Sequence, residues 1–310
     1  MLERIVNKLK RIVQNLLFEY ANKREFYNLF KSIWYAICPM VGRMGSSRHK
    51  AVLKSLYEDM SETIEKYKNK TVLGGVISVD CPIWILWWQG WKITPPIVQL
   101  CLQSVKRNAG KHPIVLLSKE NFRDYVDIPE PIIEKLIRAN NITYLSDIIR
   151  FGLLGQKGGI WLDATIYVSD TIKGWDESLY SIRHRNGNPR FVLDGKGWST
   201  FMFASVAEQT LPAFVFESLI TYFSKHDRVI DYFLSDYLIA LLYLNNENVK
   251  QQIEHFPKDN LDALAILINY RKPYNEVFLN AVYSTTYLHK LDWRIQIVPG
   301  SNIDHLNEFI

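Results

Sequence analysis

Apolar residues at helical spacing predict a long amphipathic helix over residues 2–20. They recur every three or four positions, and the opposite face carries arginine, lysine and asparagine. After a Gly-Ser break at 42–47, a second amphipathic pattern covers residues 51–67, and a linker-like stretch follows it. The pattern therefore predicts a helical appendage over residues 1–77, ahead of a main domain over residues 78–310.

Beyond residue 81 the pattern changes to short apolar runs that alternate with helical segments. These predict strands at 83–88, at 113–117 and from Ile160, and helices at 96–108, near Asn121, near Pro131, from Ser146, and at 212–223, 231–243 and 261–269. Such alternation is typical of a mostly parallel sheet flanked by helices, which binds ligands at the carboxyl ends of its strands. The predicted fold class is therefore α/β.

The composition fits one folded catalytic domain. The 310 residues are 48% hydrophobic and 22% charged, which is enough to bury a full core. No run approaches about 20 apolar residues, and the start of the chain lacks the apolar block of a secretory signal. The cysteines, Cys38, Cys81 and Cys101, lack metal-ligand spacing, which indicates a reducing compartment such as the cytoplasm.

The net charge of +5 is unevenly distributed along the chain. Residues 1–70 carry 14 lysines and arginines against 7 acids, whereas the remainder carries 23 against 25. A nucleic-acid-binding protein usually has a basic stripe across its fold, so this distribution argues against nucleic acid as a partner. The basic face of the first helix instead suits an anionic membrane surface, and docking on the main domain or on a second copy of the chain is the alternative.

The polar residues most indicative of chemistry lie in the segment 144–169. Ser146 is placed to cap a helix, and Asp147 and Arg150 stand three residues apart, so both project from one helical face. An isolated pair of this kind is usually a surface ion pair that contributes little. Here the pair is embedded in apolar sequence, which favours a role in binding oxygen-rich ligands.

A Gly-Gly turn and a strand that contains one acid follow this helix. Gly158 and Gly159 allow a sharp reversal and let a ligand approach the backbone. Asp163 interrupts an apolar run, where a carboxylate is costly unless it is paired or binds a metal; a turn at the end of the strand is the structural alternative. With Arg150, this acid predicts a site for a metal-bound, phosphate-containing ligand, and a carboxylate suits Mg²⁺ or Mn²⁺.

Two motifs in this segment resemble the DXD region of retaining glycosyltransferases. They are Ser146-Asp147-x-x-Arg150 and Gly158-Gly159-Ile-Trp161-Leu-Asp163. That group includes the capsular polysaccharide synthesis proteins, the yeast-type mannosyltransferases and the large clostridial glucosylating toxins, and the resemblance covers most of residues 81–243. It implies a GT-A-like fold, contacts of Asp147 and Arg150 with the sugar and ribose of a nucleotide-sugar donor, and a position of Trp161 near the nucleoside.

The resemblance also implies a divalent ion on the donor diphosphate, bound by Asp163. The second acid of the motif is Thr165 in this chain, and a hydroxyl is a poorer metal ligand than a carboxylate. The sequence therefore departs from the family pattern at Thr165, which would bind a metal more weakly than the acid of the family does.

Trp87, Trp88 and Gln89 end the first predicted strand and are candidates for donor binding. An indole at the carboxyl end of a strand is well placed to stack on a base, and Trp87 aligns with a tryptophan that stacks on uracil in the toxins that the chain resembles. Core packing explains either tryptophan equally well, because adjacent strand residues face opposite sides.

Four further polar residues are candidates for the site. Asp194 is placed to orient an acceptor or sugar hydroxyl, or simply to form the turn before a glycine. Asp236 lies one turn inside an apolar helix, where no capping role accounts for it. His289 and Lys290 are a candidate metal ligand and a candidate diphosphate contact, although a His-Lys pair near a terminus is more often solvated surface.

The resemblance thus implies retaining transfer of a hexose from a nucleotide sugar, UDP-linked, to a capsular or surface polysaccharide precursor or a lipid-linked oligosaccharide. The expected cofactor is Mn²⁺ or Mg²⁺, and the expected location is the inner face of the cell membrane. A catalytically weak carbohydrate-binding or scaffold protein of the same fold is the alternative, which Thr165 favours. No P-loop, nucleophile-elbow or zinc-protease motif is present.

Overall fold

The computed structural model describes residues 46–183 and 197–306. Within them, helices α1 to α11 span Ser46–Asp59, Ser61–Tyr67, Pro96–Asn108, Glu130–Arg138, Ile142–Gln156, Thr210–Lys225, Leu234–Asn245, Glu247–Glu254, Ala265–Ile268, Glu276–Tyr283 and Asn302–His305. Strands β1 to β7 span Ile83–Leu86, Ile114–Leu117, Gly159–Leu162, Ile166–Val168, Leu179–Ser181, Met202–Ser205 and Leu288–Lys290. The helix predicted at 2–20 and the candidate Asp194 lie outside the described residues.

A five-stranded sheet with the order β2-β1-β3-β6-β5 forms the centre of the fold. Strand β1 is parallel to β2 and β3, whereas β6 is antiparallel to β3 and β5. Strands β1 and β3 are buried along their whole length, as expected of strands covered on both faces. The predicted α/β fold is confirmed. The sheet is mixed, because β6 pairs antiparallel with both β3 and β5.

A two-stranded sheet lies beside the carboxyl end of β3. Strand β4 pairs antiparallel with β7, which places Lys290 opposite Ile166 and His289 opposite Tyr167. The turn between β3 and β4 is tight, and the amide of Ile166 donates to the carbonyl oxygen of Asp163 at 2.9 Å. The C-terminal segment of the described chain is thereby brought to the end of β3.

The described part of the predicted appendage belongs to the same core as the main domain. Leu56 of α1 and Ile64 of α2 are buried in the apolar cluster that also contains α6 and α7. A buried ion pair joins Arg48 to Asp231. The apolar stripe of residues 51–67 thus packs on helices of the main domain, and the boundary at residue 77 stays a prediction.

Two local features differ from the sequence expectations. Helix α5 begins at Ile142, so Ser146 lies inside the helix and does not cap it. Gly158 and Gly159 have φ angles of +68° and +102°, and a Cβ on Gly158 would lie 2.5 Å from the amide nitrogen of Ala207. These glycines therefore allow neighbouring backbone, rather than a ligand, to approach closely.

None of the helices in the described part of the chain is both long enough and apolar enough to cross a membrane. Cys81 and Cys101 are free thiols, and Cys101 is buried.

Candidate active site

Arg150 links the two acids that the sequence motifs predicted. Its Nη1 donates to Asp147 Oδ1 at 2.7 Å, and its Nη2 donates to Asp163 Oδ1 at 3.0 Å. Asp147 and Arg150 lie on α5 and Asp163 directly follows β3, so helix and strand meet at the carboxyl end of the parallel strands. A planar guanidinium suits this geometry because its donors point in fixed directions. We call these three residues the acid–arginine cluster.

Trp161 supports the acid–arginine cluster from inside the protein. Its side chain is buried, its indole Nε1 donates to Asp163 Oδ1 at 3.0 Å, and its ring lies 5.0 Å from the guanidinium carbon of Arg150. A ring enclosed in this way is not accessible for stacking on a base. In the structure Trp161 holds Arg150 and Asp163, and its position near the nucleoside stays a prediction.

Lys290 makes a second charged contact with Asp163. Its ammonium group donates to Asp163 Oδ2 at 2.9 Å and to Thr165 Oγ1 at 2.6 Å. The backbone holds the lysine in place, because its own amide donates to the carbonyl oxygen of Ala263 and the amide of Leu291 donates to that of Thr165, both at 2.8 Å. The structure thus brings the predicted diphosphate contact to the acid–arginine cluster.

His289 points to the opposite side of β7 from Lys290, as adjacent strand residues do. It is fully buried between Tyr167 and Tyr283, and its Nε2 lies 2.9 Å from Ser169 Oγ. Burial lowers the pKa of His289 to about 3, so the ring is neutral. The structure does not bring His289 to Asp163, because strand alternation directs it into the core, and its position gives no support to the predicted role as a metal ligand.

The first turn of α7 adds a hydroxyl and a third acid. Ser235 Oγ donates to Asp147 Oδ2 at 2.7 Å, which fixes the second oxygen of that carboxylate. The neighbouring Asp236 is buried and accepts a hydrogen bond from Trp198 Nε1 at 3.0 Å. The candidate Asp236 therefore lies beside the acid–arginine cluster.

The pKa values of Asp147, Asp163 and Asp236 are shifted in different directions. Burial raises the pKa of Asp163, but the charges of Lys290 and Arg150 outweigh it and hold that pKa below its usual value. Burial outweighs Arg150 at Asp147, whose pKa is raised. Burial, followed by the charge of Asp147, raises the pKa of Asp236 to about 7 despite the indole donor. The site therefore combines a permanently charged carboxylate with one that titrates near neutrality.

The tryptophans at the end of β1 face opposite sides, as the strand geometry predicts. Trp88 packs against Phe122 of the core, so the packing explanation applies to it. Trp87 is half-buried, and its ring meets that of Trp293 edge to face with centroids 6.0 Å apart. Gln89 is exposed, and Trp293 is 43% exposed. Trp87 also packs against an apolar cluster of the core, and Trp293 is its exposed aromatic partner.

Sequence reasoning missed Ser235, Trp293 and Tyr232. Tyr232 is 66% exposed, and the pKa of its phenol is raised by burial and then by the charges of Asp147 and Asp163. Trp293 follows Lys290 by only three residues, and an aromatic so close to a candidate phosphate contact was a usable signal. No signal in the sequence pairs Ser235 with Asp147.

The residues around Asp163 do not fit a divalent ion. Within residues 46–183 and 197–306, no three His, Cys, Asp or Glu side chains are close enough to share a metal. Asp163 already accepts from Arg150, Trp161 and Lys290, which occupies three of about four lone-pair sites. An ion about 2.1 Å from Oδ2 would lie roughly 4 Å from the ammonium, where a divalent ion and a single positive charge repel by about 8 kcal/mol at the protein surface.

The chain has remote structural similarity to known transferases. No match to the chain is found among curated proteins. One similar solved structure is described as the PaToxG glycosyltransferase, with 12% identity and a TM-score of 0.41 over 79% of this chain and 100% of that chain. Another, a transferase with two cysteines replaced by serine, shows 11% identity and a TM-score of 0.35 over 60% of this chain and 95% of that chain. Both similarities are remote.

A family model gives the decisive comparison. The model for the capsular polysaccharide synthesis protein family matches residues 39–308, which is most of the chain and includes the acid–arginine cluster and Lys290. The chain therefore belongs to the capsular polysaccharide synthesis protein family, and its role is glycosyl transfer in the synthesis of such polysaccharides.

Proposed function

We propose that the enzyme transfers a hexose from a nucleotide sugar, UDP-linked, to a capsular polysaccharide precursor with retention of configuration. The observation that carries this proposal is the presence of two cations, Arg150 and Lys290, on Asp163 at the carboxyl end of β3. Cations at this edge of a parallel sheet offer a binding place for a diphosphate. Retention and the UDP moiety are proposed from the resemblance of the motifs.

In the proposed reaction, the bond between the anomeric carbon of the sugar and the diphosphate oxygen breaks, and its electron pair stays with that oxygen. Arg150 and Lys290 stabilise the negative charge that develops there. The hydroxyl oxygen of the acceptor forms the new bond to the anomeric carbon, and its proton passes to the departing diphosphate. Asp147, held by Arg150 and Ser235, is placed to bind donor hydroxyls and so to orient the reacting carbon.

Exposed aromatic residues around the acids support the binding of a base and a sugar. Trp293 is partly exposed and is backed by Trp87, an arrangement in which a base can stack on the indole. Tyr232 is 66% exposed, and the pKa of its phenol is raised by burial and then by the charges of Asp147 and Asp163, which supports a contact of this residue with donor or acceptor hydroxyls.

The experiment that tests the function is a screen of UDP- and GDP-sugars for hydrolysis and for a rise in melting temperature. A ligand that binds only the folded state raises that temperature, so the active donor should stabilise the wild type. Arg150→Ala should lose both effects, whereas Lys54→Ala, which removes an exposed lysine of α1, should keep both. The anomeric configuration of the released or transferred sugar, followed by NMR, tests retention.

Two outcomes of this screen would redirect the proposal. If no nucleotide sugar is hydrolysed but one stabilises the protein, the carbohydrate-binding or scaffold alternative is correct. If none has either effect, the proposed donor class is wrong.

We also propose that residues 1–20 hold the enzyme at the inner face of the membrane, close to a lipid-linked acceptor. The support is the apolar stripe opposite Arg4, Lys8 and Arg11, together with the excess of basic residues in this segment. Deleting residues 1–20 should abolish binding to anionic vesicles but leave hydrolysis of a soluble donor intact. Changing the three basic residues to glutamine should weaken vesicle binding alone. An intact protein that ignores anionic vesicles at low salt and elutes as a dimer would indicate self-association instead.

A further inference from the structure

Lys290 places its ammonium group between the two positions that correspond to the acids of the DXD motif. It lies 2.9 Å from Asp163 Oδ2 and 2.6 Å from Thr165 Oγ1. A hydroxyl accepts a hydrogen bond from an ammonium group readily, whereas it is a poor ligand for a divalent ion. The threonine in place of the second acid and the lysine that faces it therefore match each other chemically.

The lysine is held in this position by its surroundings. Pairing of β7 with β4 sets the register, and the ammonium group lies 5.7 Å from the ring of Phe201, within reach of a cation–π contact. Its side chain is 22% exposed, so it is only partly accessible to solvent. Arg150 and Trp161 occupy the other oxygen of Asp163, so this carboxylate is committed to protein donors on both sides.

We infer that Lys290 takes the place of a divalent ion, so that the donor diphosphate is bound and released without a metal. This inference rests on the proposed function. An ammonium group has three donors, and Asp163 and Thr165 accept two of them, which leaves one for a diphosphate oxygen. When the bond between the anomeric carbon and the diphosphate oxygen breaks, the electron pair stays with the oxygen, and Lys290, still protonated, neutralises part of that charge.

Calorimetry with UDP and GDP as probes tests the inference directly. The wild type should bind its preferred diphosphate equally well in EDTA and in excess Mn²⁺, to within about twofold. Lys290→Met, which keeps the apolar stem and removes the charge, should lose about tenfold to a hundredfold in affinity for the diphosphate, as expected for a charged hydrogen bond. Its affinity for the nucleoside alone, uridine or guanosine, should not change. Lys54→Met serves as the control for loss of a lysine elsewhere.

The outcomes separate this inference from the proposed function. Diphosphate binding that requires Mn²⁺ would overturn the role of Lys290 and leave the glycosyltransferase proposal intact. No diphosphate binding under either condition would overturn both. Should Lys290→Met unfold, the comparison of the wild type in EDTA and in Mn²⁺ still decides, because it needs no variant.

A designed reversal provides a second, independent readout. In Thr165→Asp combined with Lys290→Ala, a second carboxylate replaces the hydroxyl and the ammonium group is gone. This double variant should bind Mn²⁺ in the absence of nucleotide, as measured by electron paramagnetic resonance, and the wild type should not. Equal Mn²⁺ affinity in the two proteins would show that the wild-type site already accepts the ion, and the inference would be wrong.

Discussion

Asp163 and Asp236 are both largely enclosed in the protein, yet their surroundings favour opposite protonation states. Asp163 contacts two cations, Arg150 and Lys290, and its pKa is lowered although burial alone would raise it. Asp236 has an indole donor and no ion pair within the described residues, and its pKa is raised to about 7. Burial raises the pKa of both acids, so the two cations in contact with Asp163, which Asp236 lacks, account for the difference.

This difference also assigns the two sides of the site to different tasks. A carboxylate that stays charged at every physiological pH suits the fixed positioning of Arg150 and Lys290. A carboxyl group that titrates near neutrality suits contacts that change with its protonation. Substitutions on the two sides should therefore differ in their effects on turnover, on stability and on its pH dependence.

The largest effect should follow Asp163→Asn. The amide can no longer balance Arg150 and Lys290, so we expect turnover to fall by about a thousandfold and the free energy of unfolding to fall by roughly 3 kcal/mol. Donor hydrolysis and urea denaturation measure the two losses. Asp176→Asn, which changes an exposed acid, should alter neither. Near-normal turnover in Asp163→Asn would show that this carboxylate is not part of the active site.

Arg150→Lys should be almost as damaging as Arg150→Ala, with a loss of about a hundredfold in kcat/KM. The guanidinium spans Asp147 and Asp163 through two nitrogens, and a single ammonium group cannot reach both in the same geometry. Arg123→Lys, at an exposed pair with Glu130, should have no effect. If the lysine variant at position 150 works almost normally, charge rather than bridging geometry is what the site needs.

Asp236→Asn should change how stability depends on pH. The folded pKa of about 7 exceeds the unfolded value, so protonation of Asp236 stabilises the wild type below about pH 4, and this contribution is lost as pH rises through 7. The asparagine variant lacks this loss. The free energy of unfolding of the variant minus that of the wild type should therefore increase by about 2 kcal/mol from pH 5 to pH 7. Denaturation at the two pH values measures it, and a constant difference would show that Asp236 does not titrate there.

The acid–arginine cluster was predictable from sequence because its geometry is local. Asp147 and Arg150 are one helical turn apart, and Asp163 follows a turn that the two glycines mark. The membership of the capsular polysaccharide synthesis family and the α/β fold, which the same segment indicated, are confirmed. The start of α5 was missed, because Asn141 makes no side-chain cap there and tertiary packing decides the boundary.

The contact between Lys290 and Asp163 was beyond sequence reasoning for a physical reason. The two residues are 127 positions apart, and β7 has only three residues, too few for a periodic signal. The sequence suggested His289 and Lys290 together, but a strand directs neighbours to opposite faces, so only one of them reaches the acids. Ser235 and Trp198 likewise reach their carboxylates across long stretches of chain.

The smallest effects should come from removing one indole donor on each side, with Trp161→Phe and Trp198→Phe. Each variant keeps an aromatic ring but deletes the hydrogen bond to its carboxylate, Asp163 or Asp236, which should cost about 1 kcal/mol in the free energy of unfolding. Such a donor favours the charged acid, so the cost should appear only where that acid is ionised.

The pH at which each cost appears distinguishes the two carboxylates. The pKa of Asp163 is below its usual value in the folded protein, so the cost of Trp161→Phe should be complete above about pH 4 and disappear as the pH falls further. The pKa of Asp236 is about 7, so most of the cost of Trp198→Phe should develop only as the pH rises through neutrality. Urea denaturation of both variants and the wild type across this range measures it. If both variants lose stability over the same pH range, the two acids share one protonation behaviour, and the contrast between the two sides of the site is wrong.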